Sequence, residues 1–143
     1  MTTEQDMGID EVRLRYFIDL DWYQQRERSF ATLAASRLCP TSRKKEKTKS
    51  EAALLRTIRQ CCSKRDGFIT PNMPLLEMIF RLLLANGNQP LELGQMQEQL
   101  QKWLGDSSNA RDLSVTKLKR ILSNDQYYGL RPAPLTEEEK KTQ

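Results

Sequence analysis

The chain has 143 residues, of which 38% are hydrophobic and 29% charged, a composition that suits one domain of ordinary size with an appended segment. It contains no histidine, and we find no phosphate-binding or dinucleotide-binding glycine pattern, so His-based catalytic triads are excluded and we predict no enzymatic activity. No apolar run approaches the roughly 20 residues of a membrane-spanning helix, and the acidic N-terminus is not a secretory signal. We therefore expect a cytoplasmic protein without a membrane partner.

The net charge of +4 is distributed unevenly along the chain. Residues 37–65 carry ten basic and two acidic side chains, a balance of +8, and residues 113–131 carry four and one, a balance of +3. Residues 1–42 carry five basic and seven acidic side chains, a balance of −2. Such asymmetry is typical of proteins that bind a polyanion, most often nucleic acid, although a solvated lysine-rich linker has the same composition.

Residues 1–49 predict an N-terminal arm. Residues 1–10 lack apolar periodicity and are expected to be a disordered tail. Residues 14–20 are rich in β-favouring side chains and predict a short extended segment, with the first turn of the following helix as the alternative. A single one-sided helix then ends at Pro40, because proline cannot continue the hydrogen-bond ladder. Residues 39–49 predict a mobile basic linker, after which we place the domain boundary.

Residues 50–135 predict a mainly α domain built around one hydrophobic helix. Ser50 can cap its first helix, and residues 68–70 are a candidate short strand. The helix predicted at residues 75–85 is apolar on nearly all sides, which is typical of a buried helix, and we expect it to be the centre of the core. Residues 136–143 are a charged tail without an apolar face, and we expect them to be disordered.

Two one-sided helices follow the central helix in the sequence. Residues 93–104 and the helix that Ser114 can cap each place apolar side chains at helical spacing and should lean on the central helix. The loop between them, residues 105–112, is longer than the three- or four-residue turn of a compact DNA-binding helix-turn-helix. Residues 127–131 predict one edge of a wing, and the two prolines that follow argue against a full returning strand.

This order of three helices and a short extended segment, over residues 68–132, resembles a winged helix-turn-helix domain. The resemblance implies a mainly α, winged-helix-like fold with short strands and an N-terminal helical arm. It also implies a binding module, and our first hypothesis is a DNA-binding protein such as a transcriptional regulator. The alternative is a non-enzymatic protein-interaction or scaffold module that binds a protein partner or a second copy of itself. The whole chain also resembles small uncharacterised bacterial proteins, a likeness that implies no activity.

The predicted third helix carries the candidate nucleic-acid contacts. In a winged helix this element can lie in the major groove, where lysine, arginine, asparagine and threonine meet phosphates and base edges. The alternative for this helix is an ordinary solvated face. The alternative for the basic run in the linker is a segment that only keeps the protein soluble. On this helix and the wing, the candidate contacts are Thr116, Lys117, Arg120, Asn124 and Arg131. In the basic linker they are Arg43, Lys44 and Lys45.

The three cysteines are an odd number and do not predict a disulfide framework. Cys39-Pro-Thr-Ser42 looks like half of a zinc knuckle whose second cysteine is a serine, and Cys61 and Cys62 could close such a site in space. A structural zinc site in most cases requires four cysteine or histidine ligands, and this chain offers three. We therefore favour small buried core residues over zinc ligands, and we predict no metal and no cofactor.

Overall fold

Seven α-helices and three short strands make up the described part of the computed structural model, which comprises residues 12–45, 50–105 and 112–134, with the backbone alone at residues 44 and 45. The predicted class, mainly α with short strands, is confirmed. Within these segments, no helix combines the length and the apolar composition that crossing a bilayer requires. The helices are α1 (Leu20–Gln25), α2 (Phe30–Ala35), α3 (Pro40–Lys45), α4 (Glu51–Gln60), α5 (Leu75–Ala85), α6 (Leu93–Leu104) and α7 (Val115–Ser123). The strands are β1 (Arg15–Ile18), β2 (Leu91–Glu92) and β3 (Leu130–Pro132), and a 3₁₀ turn covers Cys62–Lys64.

The N-terminal strand β1 is the central strand of an antiparallel sheet with the order β2-β1-β3. It lies within the extended segment predicted at residues 14–20, and Tyr16 and Ile18 alternate into the core as the two-residue period of a strand requires. Because β2 precedes α6 and β3 follows α7, the sheet joins the N-terminal segment to the second half of the chain. The Cα partners are Arg15–Glu92 and Tyr16–Leu91 on one side, and Tyr16–Pro132, Phe17–Arg131 and Ile18–Leu130 on the other.

Helix α5 is the centre of the core, as its nearly all-round apolar pattern predicts. Pro74 stands directly before its first residue, and Gly87 follows its end with a φ of 75°, the left-handed conformation that closes many helices. Helices α4 and α6 and strand β1 pack around it. Each large apolar side chain buried here contributes roughly 1.5–3 kcal/mol before entropy costs. The buried residues are Leu75, Glu77, Met78, Ile79, Phe80, Leu82, Leu83 and Leu84.

The N-terminal segment shares this core. The aromatic side chains of Trp22, Tyr23 and Phe30 are buried, and α2 packs against α4. Residues on both sides of the boundary predicted at residue 49 therefore belong to one hydrophobic cluster. The disordered segments predicted at the two termini, residues 1–10 and 136–143, lie outside the described residues.

The prediction of a strand at residues 68–70 is wrong, because this segment forms a bend and is not one of the three strands of the sheet. Phe68 and Ile69 are buried individually, and the backbone carbonyl of Phe68 accepts a hydrogen bond from Arg81 at 3.0 Å. Two consecutive apolar residues are found both in short strands and in loops that bury single side chains in the core, so the sequence pattern did not distinguish these two structures. The strand near the central helix lies instead at Leu91–Glu92.

Two further local predictions, both before residue 50, are corrected. The single helix predicted up to Pro40 is two helices, because the chain turns where Glu27 adopts a φ of 55° and the Ser29 side chain caps α2. Residues 40–45 of the predicted mobile linker form α3, and Pro40 is tolerated because the first residue of a helix does not need its N–H group. The remainder of that linker, residues 46–49, lies outside the described residues.

One carboxylate is buried within the central helix. Glu77, 8% exposed, accepts hydrogen bonds from Arg37 at 2.7 and 2.9 Å, from Arg81 at 2.7 Å and from the Tyr128 hydroxyl at 2.8 Å. Burial alone would raise the pKa of Glu77, but these hydrogen bonds outweigh it and lower the pKa to about 2. The carboxylate thereby links the segment after α2, helix α5 and the segment before β3.

Candidate functional site

Helix α7 presents a polar, basic face to solvent. The Ser114 hydroxyl accepts a hydrogen bond from the Lys117 amide at 3.3 Å and starts the helix where the sequence predicts. Leu118 and Leu122 are buried on the opposite side. At the C-terminal end the Asn124 side chain donates to the Arg120 carbonyl at 3.0 Å, which holds it against the last turn. The outward residues, which we call the α7 face, are Thr116, Arg120 and Asn124, all exposed, and the half-buried Lys117.

A buried carboxylate shapes the turn that follows the α7 face. Asp125, 2% exposed, accepts hydrogen bonds from the amides of Tyr127 and Tyr128 at 3.0 Å each and from the Leu130 amide at 2.9 Å. Gly129 has a φ of 72°, and a Cβ atom there would lie 2.8 Å from two aromatic rings beneath it. These constraints fold the chain back into β3 and leave the Tyr127 ring 50% exposed beside α7.

Arginines from the N-terminal segment reach this turn and surround two aromatic rings. The Arg28 guanidinium donates to the Tyr127 carbonyl at 2.7 Å and lies 4.7 Å from the centre of the Tyr127 ring. Arg26 lies 4.6 Å and Arg131 5.5 Å from the centre of the Trp22 ring, within the range of cation–π attraction. We call Arg26, Arg28, Arg131, Trp22 and Tyr127 the arginine–aromatic stack.

Sequence reasoning missed Arg26 and Arg28 as site residues. A usable signal was present, because Arg-Glu-Arg follows almost directly after Trp22-Tyr23, and alternation of basic and aromatic residues is a pattern of nucleic-acid surfaces. The sequence does not show, however, that this segment contacts residues far along the chain. Arg28 and Tyr127, which are hydrogen-bonded, are 99 positions apart.

Other predicted contacts are occupied within the protein or lie elsewhere. Arg131 is half-buried and donates to the carbonyls of Asp125 at 3.0 Å and Leu130 at 3.1 Å. Arg43 donates to the carbonyls of Ser36 at 2.8 Å and Leu38 at 3.2 Å, close to the end of α2. Arg43 also lines a groove of about 230 Å³, whose described walls include none of the α7 face. The side chains of Lys44 and Lys45 lie outside the described set.

The structure brings the three cysteines together. Their sulfur atoms all lie within 4.8 Å of one another, and the Sγ atoms of Cys39 and Cys61 are 3.8 Å apart. The Ser42 hydroxyl lies 3.4 Å from each of these two sulfurs, and the Cys39 amide donates to Cys62 Sγ at 3.1 Å. We call Cys39, Cys61, Cys62 and Ser42 the thiol cluster.

Local geometry explains how distant parts of the chain meet in the thiol cluster. Cys39 directly precedes α3 and Ser42 lies in its first turn, so these two residues, three positions apart, lie on the same side. Cys61 directly follows α4 with a φ of −124° and a ψ of −64°, and the 3₁₀ turn after it brings Cys62 to the same cluster. Cys62 is 2% exposed, Ser42 is 6% exposed, and Cys39 and Cys61 are half-buried.

The surroundings of the thiol cluster favour the negatively charged form of the Cys39 thiol and disfavour that of the buried Cys62 thiol. A hydrogen bond with the Ser42 side chain lowers the pKa of the Cys39 thiol to about 6, whereas burial raises the pKa of Cys62. Hydrogen bonding to Cys61 raises the pKa of Arg65, whose guanidinium also donates to the Thr41 hydroxyl at 2.9 Å. A positive charge therefore stands beside the thiols.

Comparison of this chain with protein-family models, with curated proteins and with solved structures finds no match. The winged-helix resemblance therefore stays a prediction.

Proposed function

We propose that this protein binds duplex DNA through the α7 face and the arginine–aromatic stack. The observation that carries the proposal is that the two sets of residues are adjacent along the chain and are joined by a hydrogen bond. The outward residues of α7 end at Asn124, the exposed Tyr127 ring follows three positions later, and Arg28 is bonded to that tyrosine. A helix of this kind fits the major groove, and a basic, aromatic shoulder beside it can follow the adjacent phosphate backbone.

The residue types suit the two tasks of a DNA-binding surface. Lysine and arginine contact phosphates, and arginine, asparagine and threonine can also meet base edges in the major groove. Arg28 is already held by a carbonyl and by aromatic rings, so it loses less conformational freedom when it meets a phosphate than a free side chain would. The resemblance to winged-helix domains, in which the third helix can lie in the groove, supports the same orientation.

One acidic group marks the N-terminal limit of this surface. Hydrogen bonding from Ser114, with the nearby charges of Lys117 and Arg120 as smaller contributions, lowers the pKa of Asp112. The negative charge of Asp112 therefore opposes phosphate approach at the start of α7, and we expect the DNA backbone to run toward Asn124 and Tyr127 instead.

Fluorescence anisotropy with a labelled random duplex, measured over a series of salt concentrations, tests the proposal. We expect the unmodified protein to bind at micromolar concentration or below in low salt. Changing Lys117 and Arg120 together to alanine should weaken binding roughly tenfold or more and reduce the slope of log K against log salt by about 2, since each phosphate contact contributes about 0.9.

A matched control removes two exposed positive charges from another helix. Arg56 and Arg59 on α4, both exposed, are changed together to alanine. This variant has the same net charge as the α7 variant, so it should retain most of the affinity if α7 is the contact surface. Equal losses in the two double variants would show that binding follows net charge alone. No binding by the unmodified protein at micromolar concentration would reject DNA binding altogether.

A further inference from the structure

We propose that Cys39, Cys61 and Cys62 bind one Zn²⁺ ion, with the Ser42 hydroxyl at the fourth position. These residues come from two separate segments, the start of α3 and the end of α4, and they converge although the nearest two, Ser42 and Cys61, are nineteen positions apart in the sequence. Thiolates are among the preferred ligands of zinc, and a tetrahedral set of them is typical of structural zinc sites.

The distances in the thiol cluster match a tetrahedral zinc site. Zinc–sulfur bonds of about 2.3 Å at the tetrahedral angle place two sulfurs about 3.8 Å apart, and a zinc–oxygen bond of about 2.0 Å places that oxygen about 3.5 Å from each sulfur. The Sγ atoms of Cys39 and Cys61 are 3.8 Å apart, and Ser42 Oγ is 3.4 Å from both. All three sulfurs lie within 4.8 Å, so only a small inward movement of Cys62 is required.

The groups around the thiol cluster are those that a thiolate-rich site requires. A zinc ion with three thiolates carries a net charge of −1, and the positive charge of Arg65 lies beside Cys61 and Cys39 to offset it. The Cys39 amide donates to Cys62 Sγ at 3.1 Å, an N–H···S hydrogen bond of the kind that orients metal ligands from outside. Cys62 and Ser42 are buried while Cys39 and Cys61 are half-buried, which gives an ion a path from one side.

Zinc binding would have a structural consequence. The three thiols lose their protons to solvent as the ion binds, and the four ligands then join α3 to the end of α4. Because the site does not exist in the unfolded chain, its binding free energy adds to the stability of the fold. The basic helix α3 would thus be held to the core by the metal as well as by its neighbours.

Cobalt titration of the reduced, metal-free protein tests the site directly. One equivalent of Co²⁺ should produce a thiolate-to-cobalt charge-transfer band with the intensity of three cobalt–sulfur bonds, together with the visible bands of a tetrahedral ion. Added Zn²⁺ should abolish both. Changing Cys39 or Cys62 to serine should reduce the charge-transfer intensity by about a third or eliminate binding.

A gain-of-ligand variant keeps the proposal testable if the cysteine variants do not fold. Ser42→Cys completes a four-thiolate site, so it should bind Zn²⁺ at least about tenfold more tightly than the unmodified protein in competition with a chromophoric chelator. Ser63→Cys is the matched control, because it adds a thiol next to Cys62 in sequence while the Ser63 side chain is directed to the Arg59 carbonyl at 2.9 Å. This variant should not tighten binding.

Several results would overturn the zinc proposal. These are the absence of a charge-transfer band at one equivalent of Co²⁺, an intensity that corresponds to one thiolate, or equal affinities for the two serine-to-cysteine variants. A Cys39–Cys61 disulfide is the competing interpretation of two thiols this close. A mass lower by two hydrogens under non-reducing conditions, with no cobalt binding by the fully reduced protein, would support the disulfide and reject the metal.

Discussion

Replacing Glu77 with glutamine would test the polar centre of the core. The carboxylate accepts hydrogen bonds from Arg37, Arg81 and Tyr128, and the two arginine side chains are only 16% and 22% exposed. Glutamine keeps the shape of the side chain but removes the negative charge that both guanidinium groups contact. Breaking a buried ion pair from one side costs about 3–5 kcal/mol, and the partial exposure of the arginines reduces this to roughly 2–4 kcal/mol.

The pKa of Glu77 gives this prediction a pH dependence with a definite sign. Hydrogen bonding lowers the pKa to about 2 in the folded protein, against 4.5 for an ordinary glutamate. The charged carboxylate therefore stabilises the fold above pH 4.5, and this contribution is lost as the pH falls toward 2. The full difference corresponds to roughly 3 kcal/mol, of which somewhat less than half is already lost at pH 3.5.

Urea unfolding followed by far-ultraviolet circular dichroism, at pH 7 and at pH 3.5, measures both effects. The free-energy difference between the unmodified protein and Glu77→Gln should be roughly 2–4 kcal/mol at pH 7 and should shrink by roughly 1 kcal/mol at pH 3.5. Glu98→Gln, at an exposed position on α6, is the control and should change stability by less than about 0.5 kcal/mol. A Glu77→Gln variant within that same margin at pH 7, or an unchanged difference at pH 3.5, would refute the reasoning.

Two further predictions concern the turn after α7 and the limit of the α7 face. Gly129→Ala should destabilise the fold by roughly 2–3 kcal/mol in urea unfolding, because its Cβ would lie 2.8 Å from the rings of Trp22 and Tyr23. Gly67→Ala is the control, because Gly67 also has a positive φ but a Cβ there would meet nothing within 4 Å, so it should cost only about 1 kcal/mol. Equal costs would contradict the steric argument. Asp112→Asn keeps an acceptor for the Ser114 amide but removes a charge, so it should strengthen duplex binding about threefold in the anisotropy assay; weaker binding would place the DNA elsewhere.

The DNA and zinc proposals stand on separate parts of the molecule. The α7 face and the arginine–aromatic stack belong to α7, the turn before β3 and the segment around α1, whereas the thiol cluster belongs to α3 and the end of α4. The variants that test one proposal therefore leave the residues of the other in place. A protein that fails to bind DNA can still bind zinc, and the reverse also holds.

The sequence alone determined the parts of this fold that depend on local spacing. The nearly continuous apolar pattern at residues 75–85 predicts a buried helix, and α5 is the centre of the core because only burial on all sides removes those side chains from water. Leu118 and Leu122 at helical spacing likewise determined which side of α7 faces inward, and so which side carries Arg120.

Only the tertiary structure decided which distant segments meet. The sequence of residues 15–18 does not indicate that they form the central strand between β2 and β3. The sequence of residues 68–70 does not indicate that they lie outside the sheet. The convergence of Cys39 with Cys61 and the contact of Arg28 with Tyr127 are of the same kind. The hydrophobic periodicity of a helix or strand indicates which of its side chains face the core and which face solvent. The element that each apolar face packs against depends on the path of the whole chain. That path is determined by the burial of all the apolar surfaces together.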